Sequence, residues 1–527
     1  MRTSVRECVV AKRRLLMAIA TLAALAALPA QALAGPTSFV RQIHWTSSSP
    51  ARGVQLLAGT FTDSKVQPQW TVTLQAPTQS PFDGSAEVAE AGSRAWARQT
   101  VATLASDGFT AQQTTLSWPR YADDPRGFMG VRVRVGEFAT QAAATAQAST
   151  LTADGFKPLV EWEGFDPQNK PDAELLHAAI VDPQRFAGRV IATHGPAVAA
   201  RQTVATQAQA LGSLVAVNAG FFTINAALPG VGGVPTGLGM YDGKLETMSN
   251  GVRADLVLDG RRAPRVENLR ASAQVHSGGA VASLLGINRQ PGSNEDCGVP
   301  GFAPTSESRQ GPVCTGANDL VLFTPEFGAP LPTGAGVQAI LDPQGRVVSV
   351  GTQGGSLPAG DSAVQGIGID ATWLSAHLRP GKRVEVTEQL RRPNGATFNT
   401  DRQTSIVSAA PVLLRDGRVS IDASTEGVFD PRDLNNYSFS ADRHARTIAG
   451  VDRAGRLILV TADGIPTKSE GLTLTEEAKV MRSLGATDAI NLDGGGSTSF
   501  VVNGSTINMT SDATGPRAIG DSIQVVP

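Results

Sequence analysis

The sequence predicts a protein of the mixed α+β class, with an N-terminal βαββαβ domain followed by a larger domain of strands and few helices. A strand–helix–strand pattern occurs twice between residues 68 and 165, and each helix closes with Asp-Gly-Phe. Beyond residue 176, short apolar runs alternate with Asp-Gly and Asn-Gly turns. A length of 527 residues exceeds what one core usually organises, so we expect at least two domains.

Residues 1–34 have the pattern of a secretory signal peptide. Arginines and a lysine precede the apolar run LLMAIATLAALAAL, and Ala-Leu-Ala follows at residues 32–34. Such a run is too short to span a bilayer and is typical of a cleaved leader. The sequence therefore predicts a secreted or cell-envelope protein whose mature chain has no transmembrane segment.

The charge balance argues against nucleic-acid binding. Lys and Arg number 45 and Asp and Glu number 47, which gives a formal net charge of −2, whereas nucleic-acid binders usually carry a basic surplus. The six histidines are scattered and two cysteines are left after removal of the leader, so we predict no metal site and no cofactor. A Ca²⁺ ion held by aspartate and carbonyl oxygens stays open.

Two cysteines of the mature chain enclose a Gly- and Pro-rich stretch, CGVPGFAPTSESRQGPVC. In an exported protein, such a pair indicates a disulfide between Cys297 and Cys314. Closing a loop of this size stabilises a fold by about 3 kcal/mol. Two free thiols are the alternative.

The first domain is built from two similar halves. The strand FMGVRVRVGEF at residues 128–138 alternates Val and Arg, so its valines face one side and its arginines the other. Helical patterns are expected over residues 87–106 and 140–156, and a strand over 69–76. This order predicts a ferredoxin-like plan.

The stretch VRVRVGEFATQAAATAQASTLTADGF resembles the SPOR domain family over roughly residues 68–165. The resemblance implies binding to peptidoglycan glycan strands, and the alternative is a small scaffold that caps the next domain. We expect residues 35–165 to form this domain together with an N-terminal strand. Residues 166–176 would be a linker, and residues 177–527 the second domain.

The second domain contains clear local signals. Hairpin turns are predicted at residues 242–243, 416–417 and 503–504. A helix is predicted from about Thr475 to Leu484, because Thr473 and Glu476 can form a capping box. Strands are predicted at residues 214–218, 319–324, 346–350, 448–451, 457–461 and 489–492.

Several of these strands end in a polar residue followed by glycine. In INLDGGGSTSF, residues 490–500, Asp493 closes a strand and three glycines follow it. Glycines admit a ligand close to the backbone, and their N–H groups can receive an anion or a sugar hydroxyl. Asn218 ends another strand ahead of Gly220, and Asp463 ends a third. Convergence of such groups predicts a pocket, while a tight turn capped by Asp493 is the alternative.

The segments VNAGFF, SAAPVLL, HARTIAG, VTADG and INLDGGGSTSF occur in this order between residues 217 and 500. Together they resemble the phosphodiester glycosidase family over about residues 175–527. The resemblance implies an enzyme that hydrolyses a sugar-1-phosphodiester at the anomeric carbon, releases a sugar such as GlcNAc and leaves a phosphomonoester. The expected substrate is a glycan phosphodiester of the cell envelope or extracellular space.

The resemblance also implies roles for individual residues. A carboxylate is needed to stabilise the oxocarbenium-like centre and to activate water or attack it, and a guanidinium suits the phosphate. The expected catalytic residues are Asp493, Asp463 and Arg446. The expected substrate-binding residues are Asn218, Gly220, Thr447, Gly494, Gly495 and Ser497. Two alternatives stay open: a non-catalytic peptidoglycan-binding or glycan-binding protein, and a hydrolase of ordinary glycosidic bonds.

Overall fold

The computed structural model describes residues 39–224, 231–249, 252–260, 262–295, 298–308, 311–435 and 437–527. The predicted signal peptide, residues 1–34, lies outside this part of the chain. The described residues form a strand-rich α+β protein, as the sequence predicts. Its α-helices are α1 (Arg94–Ser106), α2 (Gln141–Ala153), α3 (Val204–Leu211), α4 (Gly368–His377), α5 (Tyr437–Ala441) and α6 (Leu474–Ser483). Short 3₁₀ turns lie at Phe39–Gln42, Glu163–Phe165 and Gly495–Ser497.

An eight-stranded antiparallel sheet carries most of the predicted site motifs. Its apolar face and α6 contribute to the largest hydrophobic core of the described residues. The order across the sheet is His44–Ala51, Val54–Thr62, Ala173–Val181, Leu457–Ala462, Arg446–Asp452, Ala486–Asn491, Val412–Arg415 and Arg418–Val419.

Two further sheets share this core. One contains, in order, Arg189–Thr193, Ser522–Val526, Val215–Asn218, Phe500–Val502 and Ser505–Thr506. The other contains Lys244–Thr247, Gly239–Tyr241, Thr404–Ala409, Ala254–Asp259 and Arg265–Glu267.

The chain between residues 270 and 400 builds three sheets, two of which pack on the second-largest core. The first is Ala280–Leu284, Arg270–Ser277, Val384–Arg391 and Thr397–Phe398. The second is Gly286–Ile287, Asp319–Phe323, Ser362–Ile367, Val337–Leu341 and Val347–Thr352. The third is Ser293–Asn294, Gly311–Thr315 and Ala303–Ser308.

Residues 70–162 form a separate four-stranded antiparallel sheet with α1 and α2 on one face. The sheet order is Ala111–Ser117, Phe128–Phe138, Trp70–Leu74 and Pro158–Trp162. The strand over 128–138 has the predicted bounds, and its valines pack with the helices in a small core. We call residues 70–162 the N-terminal unit. A hairpin of Ala76–Gln79 and Ala86–Ala89 precedes α1.

Three local expectations need correction. Residues 86–89 form a strand rather than the first helical turn, because Ser93 caps α1 by accepting a hydrogen bond from the backbone N–H of Trp96. Strand His44–Ala51 pairs with Val54–Thr62, which in turn pairs with Ala173–Val181 in the eight-stranded sheet, so neither strand joins the sheet of the N-terminal unit. Within the expected linker, Asp166 is buried and residues 173–176 already belong to a strand.

The turn chemistry is confirmed. Asp242, Asp416 and Asn503 have φ values of 50°, 49° and 49°, and the glycine after each also has a positive φ, as hairpin turns of this type require. The capping box of Thr473 and Glu476 is present at the start of α6.

The other structural expectations have the following outcomes. Cys314 is buried, but Cys297 lies outside the described residues, so the disulfide stays a prediction. In the part of the chain that the structure describes, no helix has the length and apolar character needed to cross a membrane. Nor do the described residues bring three His, Cys, Asp or Glu side chains together as a metal site would require.

Candidate active site

Strand register brings the predicted motifs to one edge of the eight-stranded sheet. Arg446 at the start of its strand pairs with Ala462, and Ile448 pairs with Asn491. Because neighbouring strands are antiparallel, Asp463 and Asp493 follow their strands at the edge where Arg446 begins its own. The backbone N–H of Asp493 donates to the carbonyl of Ala219 at 2.9 Å, which joins the end of Val215–Asn218 to the same place.

Asn218 ties three of these segments together. Its side-chain amide donates to the backbone carbonyl of Asp493 at 2.6 Å. Its side-chain oxygen accepts from the hydroxyl of Thr447 at 2.7 Å and from the backbone N–H of Ser499 at 3.1 Å. Asn218 and Thr447 are wholly buried, so both lie beneath the loop that carries Asp493.

A cavity of about 560 Å³ opens above that loop. Its lining includes Asp493, the three glycines after it and Arg517. The rest of the lining is rich in aromatic side chains, and such surfaces suit the apolar face of a sugar ring. These other lining residues are Phe221, Phe222, Ile224, Asn435, Ser438, Phe439 and His444.

Asp493 is the carboxylate of this cavity. Burial raises its pKa to about 6, and the negative charge of Asp521 acts in the same direction. The Ser497 side chain, the Arg517 charge and the Gly494 backbone N–H lower that pKa. The Gly494 N–H donates to Oδ1 of Asp493 at 2.9 Å. The group is therefore mostly ionised at neutral pH, yet basic enough to take a proton.

Arg517 supplies the guanidinium at the cavity. It forms a two-point ion pair with Asp512, with Nε–Oδ2 and Nη2–Oδ1 distances of 2.8 and 2.9 Å. The pair lies directly over Gly496, where a Cβ atom would collide with both side chains. Arg517 follows a loop without strand or helix pattern, so the sequence analysis missed it.

The predicted residue Arg446 lies elsewhere. Its guanidinium is wholly buried, donates to the carbonyls of Leu472 and Phe439 at 3.0 and 2.6 Å, and pairs with Glu477 at 3.1 Å. It is not among the residues that line the cavity. The sequence showed an arginine before a strand, but could not show that its Nε and Nη2 donate to backbone carbonyls.

Asp463 also lies behind the cavity. It is buried, and its Oδ2 accepts from the backbone N–H of Met509 at 2.9 Å. Burial raises its pKa to about 6, while the Met509 N–H and the Asn508 side chain lower it. Asp463 thus anchors the start of the segment that carries Asp512 and Arg517.

Of the remaining predicted residues, some line the cavity and the others are buried next to it. Gly494 and Gly495 line the cavity. Ser497 is buried beneath it. Gly220 donates its N–H to Asp521 at 2.8 Å, and Asp521 also accepts from the Tyr241 hydroxyl at 2.8 Å. The negative charge next to Asp493 therefore has a fixed position that the sequence analysis did not anticipate.

Comparisons with known proteins agree with the family that the sequence resembles. Residues 335–526 match the family model described as phosphodiester glycosidase, which confirms the resemblance in the sequence. N-acetylglucosamine-1-phosphodiester alpha-N-acetylglucosaminidase of Mus musculus is 40% identical over 109 residues, or 20% of this chain and 21% of the relative. The Bos taurus enzyme of the same name is 28% identical over 225 residues, or 42% and 38%. The matches thus span well under half the length of these curated relatives.

A solved structure matches over a greater length. A protein of Burkholderia pseudomallei that is described as exported has a TM-score of 0.79 and 29% identity, and the match covers 92% of this chain and 96% of that chain. The fold is also similar to that of a hypothetical protein from Synechocystis, with a TM-score of 0.52 and 18% identity over 92% of this chain and 75% of the other.

Proposed function

We propose that the protein hydrolyses a sugar-1-phosphodiester, because residues 335–526 match the family model described as phosphodiester glycosidase. Water adds its oxygen to the anomeric carbon, and the bond from that carbon to the phosphate oxygen breaks. The products are a free sugar, such as GlcNAc, and a phosphomonoester. The observation that carries the proposal is one cavity that combines the carboxylate of Asp493 with the guanidinium of Arg517 and aromatic side chains.

Residues that line the cavity have different roles in this reaction. Asp493 acts as the nucleophile or as the base that activates water, and its negative charge stabilises the oxocarbenium-like centre. Arg517 binds the phosphate and balances its charge as the sugar departs. Phe221 and Phe439 hold the sugar face. The phosphate is a weakly basic leaving group, so little help from a general acid is needed.

A direct assay tests the proposal. The protein is incubated with UDP-GlcNAc and with simple GlcNAc-1-phosphate diesters, and free reducing sugar is measured. We expect turnover of at least one of these substrates, and about 10²–10⁴-fold slower turnover for Asp493→Asn. Asp416→Asn, at an exposed hairpin turn, is the matched control.

The same assay separates the alternatives. Faster cleavage of a plain aryl glycoside than of any phosphodiester would indicate an ordinary glycosidase. Retention on glycan without turnover would indicate a binding protein. Turnover that Asp493→Asn leaves unchanged would contradict the site.

The setting of the reaction is part of the proposal. We propose that the protein is exported and acts on glycans of the cell envelope. A neighbour of similar fold that is described as exported supports the first part of this proposal. We also propose that the N-terminal unit is a ferredoxin-like, SPOR-like domain, for which its strand order is the support. Its binding to peptidoglycan is tested by sedimenting the full chain with purified sacculi. If no more of the chain sediments with the sacculi than of a non-binding protein, the proposed binding to peptidoglycan is contradicted.

A further inference from the structure

Part of the cavity lining belongs to a segment that packs against the N-terminal unit. The lining residues Ser438, Phe439 and His444 belong to the segment 437–444, which includes α5. His444 Nε2 lies 2.9 Å from the carbonyl of Ser438, so the segment closes on itself beside the cavity. The outer side of the same segment packs against residues of the N-terminal unit.

Arg132 makes several of the polar contacts there, beside the hydrogen bond from the Tyr437 hydroxyl to Glu90. It lies in the strand Phe128–Phe138 and is 2% exposed. Its Nη2 donates to the Tyr437 hydroxyl at 2.5 Å and lies 3.5 Å from Oδ2 of Asp442. Tyr437 and Asp442 bracket α5, so one guanidinium contacts both ends of the helix.

Arg132 also has two carboxylate partners outside the segment 437–444. Its Nη1 donates to Asp166 at 2.5 Å, and its Nη2 lies 3.4 Å from Glu90. A buried charge with several well-placed partners is strongly oriented, because losing any partner leaves an uncompensated group out of water. The fork geometry of the guanidinium lets it serve both sides at once.

Apolar contacts and a hydrogen bond to the backbone also join the N-terminal side to the segment 437–444. Ala91 and Leu116 of the N-terminal side pack with Tyr437 and Ala441 in one buried cluster. The Tyr121 hydroxyl donates to the carbonyl of Ser440 at 2.6 Å. On the opposite side, Arg446 donates to the carbonyl of Phe439. The segment is therefore clamped between the N-terminal side and the eight-stranded sheet.

We propose that Arg132 is a positioning residue for the active site: it holds the segment 437–444 in place and so sets Phe439 and His444 in the cavity that Asp493 lines. Arg132 itself does not line the cavity. The N-terminal unit thus completes the active site of the adjoining domain. The expected loss of activity rests on the proposed function, whereas the expected loosening of the segment 437–444 does not.

Arg134 offers a matched comparison two residues along the same strand. It is also buried and also pairs with Asp166, at 2.5 and 2.9 Å. Its other partners are Thr73 and Glu161, both in the N-terminal unit. Arg134 shares Asp166 with Arg132, but none of its hydrogen bonds or ion pairs reaches the segment 437–444. Arg134→Met therefore removes a buried arginine from the same strand and leaves the direct contacts to that segment in place.

The experiment compares hydrogen exchange and kinetics of the full chain in Arg132→Met, Tyr437→Phe and Arg134→Met. For the first two we expect about tenfold or faster exchange in peptides covering 437–444. We also expect kcat/KM for a GlcNAc-1-phosphodiester to fall about 10–100-fold. Arg134→Met is expected to leave exchange in 437–444 at the wild-type level. Tyr437→Phe removes one hydroxyl and leaves Arg132 in place. It therefore tests the contact between the two residues even if Arg132→Met does not fold.

Two results would overturn the inference. One is unchanged exchange of 437–444 in Tyr437→Phe and in folded Arg132→Met. The other is equal acceleration in Arg134→Met, which would indicate a general loss of stability. Absence of turnover in the wild-type protein would count against the proposed function alone, since the exchange measurement still decides the role of Arg132.

Discussion

A single carboxylate, Asp493, determines how the proposed chemistry should depend on pH. Burial raises its pKa to about 6, so the reactive ionised form dominates above that value and is lost below it. We expect kcat/KM to rise as pH increases through about 6 and then to level off. A profile measured from pH 4.5 to 8 checks this expectation, and a rate that falls as pH rises through 6 would contradict it.

A second residue-scale prediction concerns Gly496. A Cβ atom there would collide with the ends of the Asp512 and Arg517 side chains, which can move aside without unfolding the chain. For Gly496→Ala we therefore expect a normal unfolding temperature and about tenfold weaker substrate binding, because the phosphate partner is displaced. Gly351→Ala, where a Cβ meets open space, is the control. Unchanged KM would show that Arg517 does not bind substrate.

Sequence reasoning placed Asp493 at the cavity but not Arg517, and the reason is physical. Asp493 follows a strand and precedes three glycines, so its local pattern already indicates a polar strand end that a ligand can approach. Arg517 reaches the cavity only because residues far along the chain, Asp463 among them, anchor its loop. Arg446 has the stronger sequence motif, yet it is wholly buried, and its Nε and Nη2 donate to backbone carbonyls.

At the scale of elements, Asn218 joins three strand ends. Its amide and carbonyl groups serve Asp493, Thr447 and Ser499, and the side chain is wholly buried. Asn218→Ala leaves these groups without partners, so we expect a loss of about 2–4 kcal/mol in the free energy of unfolding. Urea denaturation measures this loss, with the exposed turn residue Asn394 changed to Ala as control. A loss no greater than in the control would contradict the joining role.

Individual strands, helix caps and turns were more predictable than the pairing of strands in the sheets. The strand over 128–138, the capping box of α6 and the three hairpin turns follow from neighbouring residues alone. Pairing of Val54–Thr62 with Ala173–Val181 was not foreseen, because antiparallel strands can be joined by any connection and the whole N-terminal unit lies between these two. The site likewise depends on pairings between distant strands.

At the scale of the whole molecule, a buried group of charges joins the N-terminal unit to the rest of the protein. Arg132 is close to Glu90, Asp166 and Asp442. Burial raises the pKa of Glu90 to about 8, and the charges of Glu161 and Asp442 add to the rise, although Arg132 opposes it. Burial likewise raises the pKa of Asp442 to about 7, again against the opposing charge of Arg132.

These raised pKa values predict that the contact weakens as pH rises. The folded protein holds the Glu90 proton up to about pH 8, whereas the unfolded chain releases it near 4.5, the ordinary pKa of a glutamate. Stability from this group is therefore fully present below the unfolded value and lost as pH rises through the folded one, with a slope of at most about 1.4 kcal/mol per pH unit. Glu90→Gln, which stays neutral, should flatten the fall in unfolding temperature between pH 5 and 8. Glu137→Gln, an exposed change in the same unit, should not. If both variants follow the wild-type curve, Glu90 is ionised in the folded protein and the contact with the N-terminal unit does not respond to pH in this way.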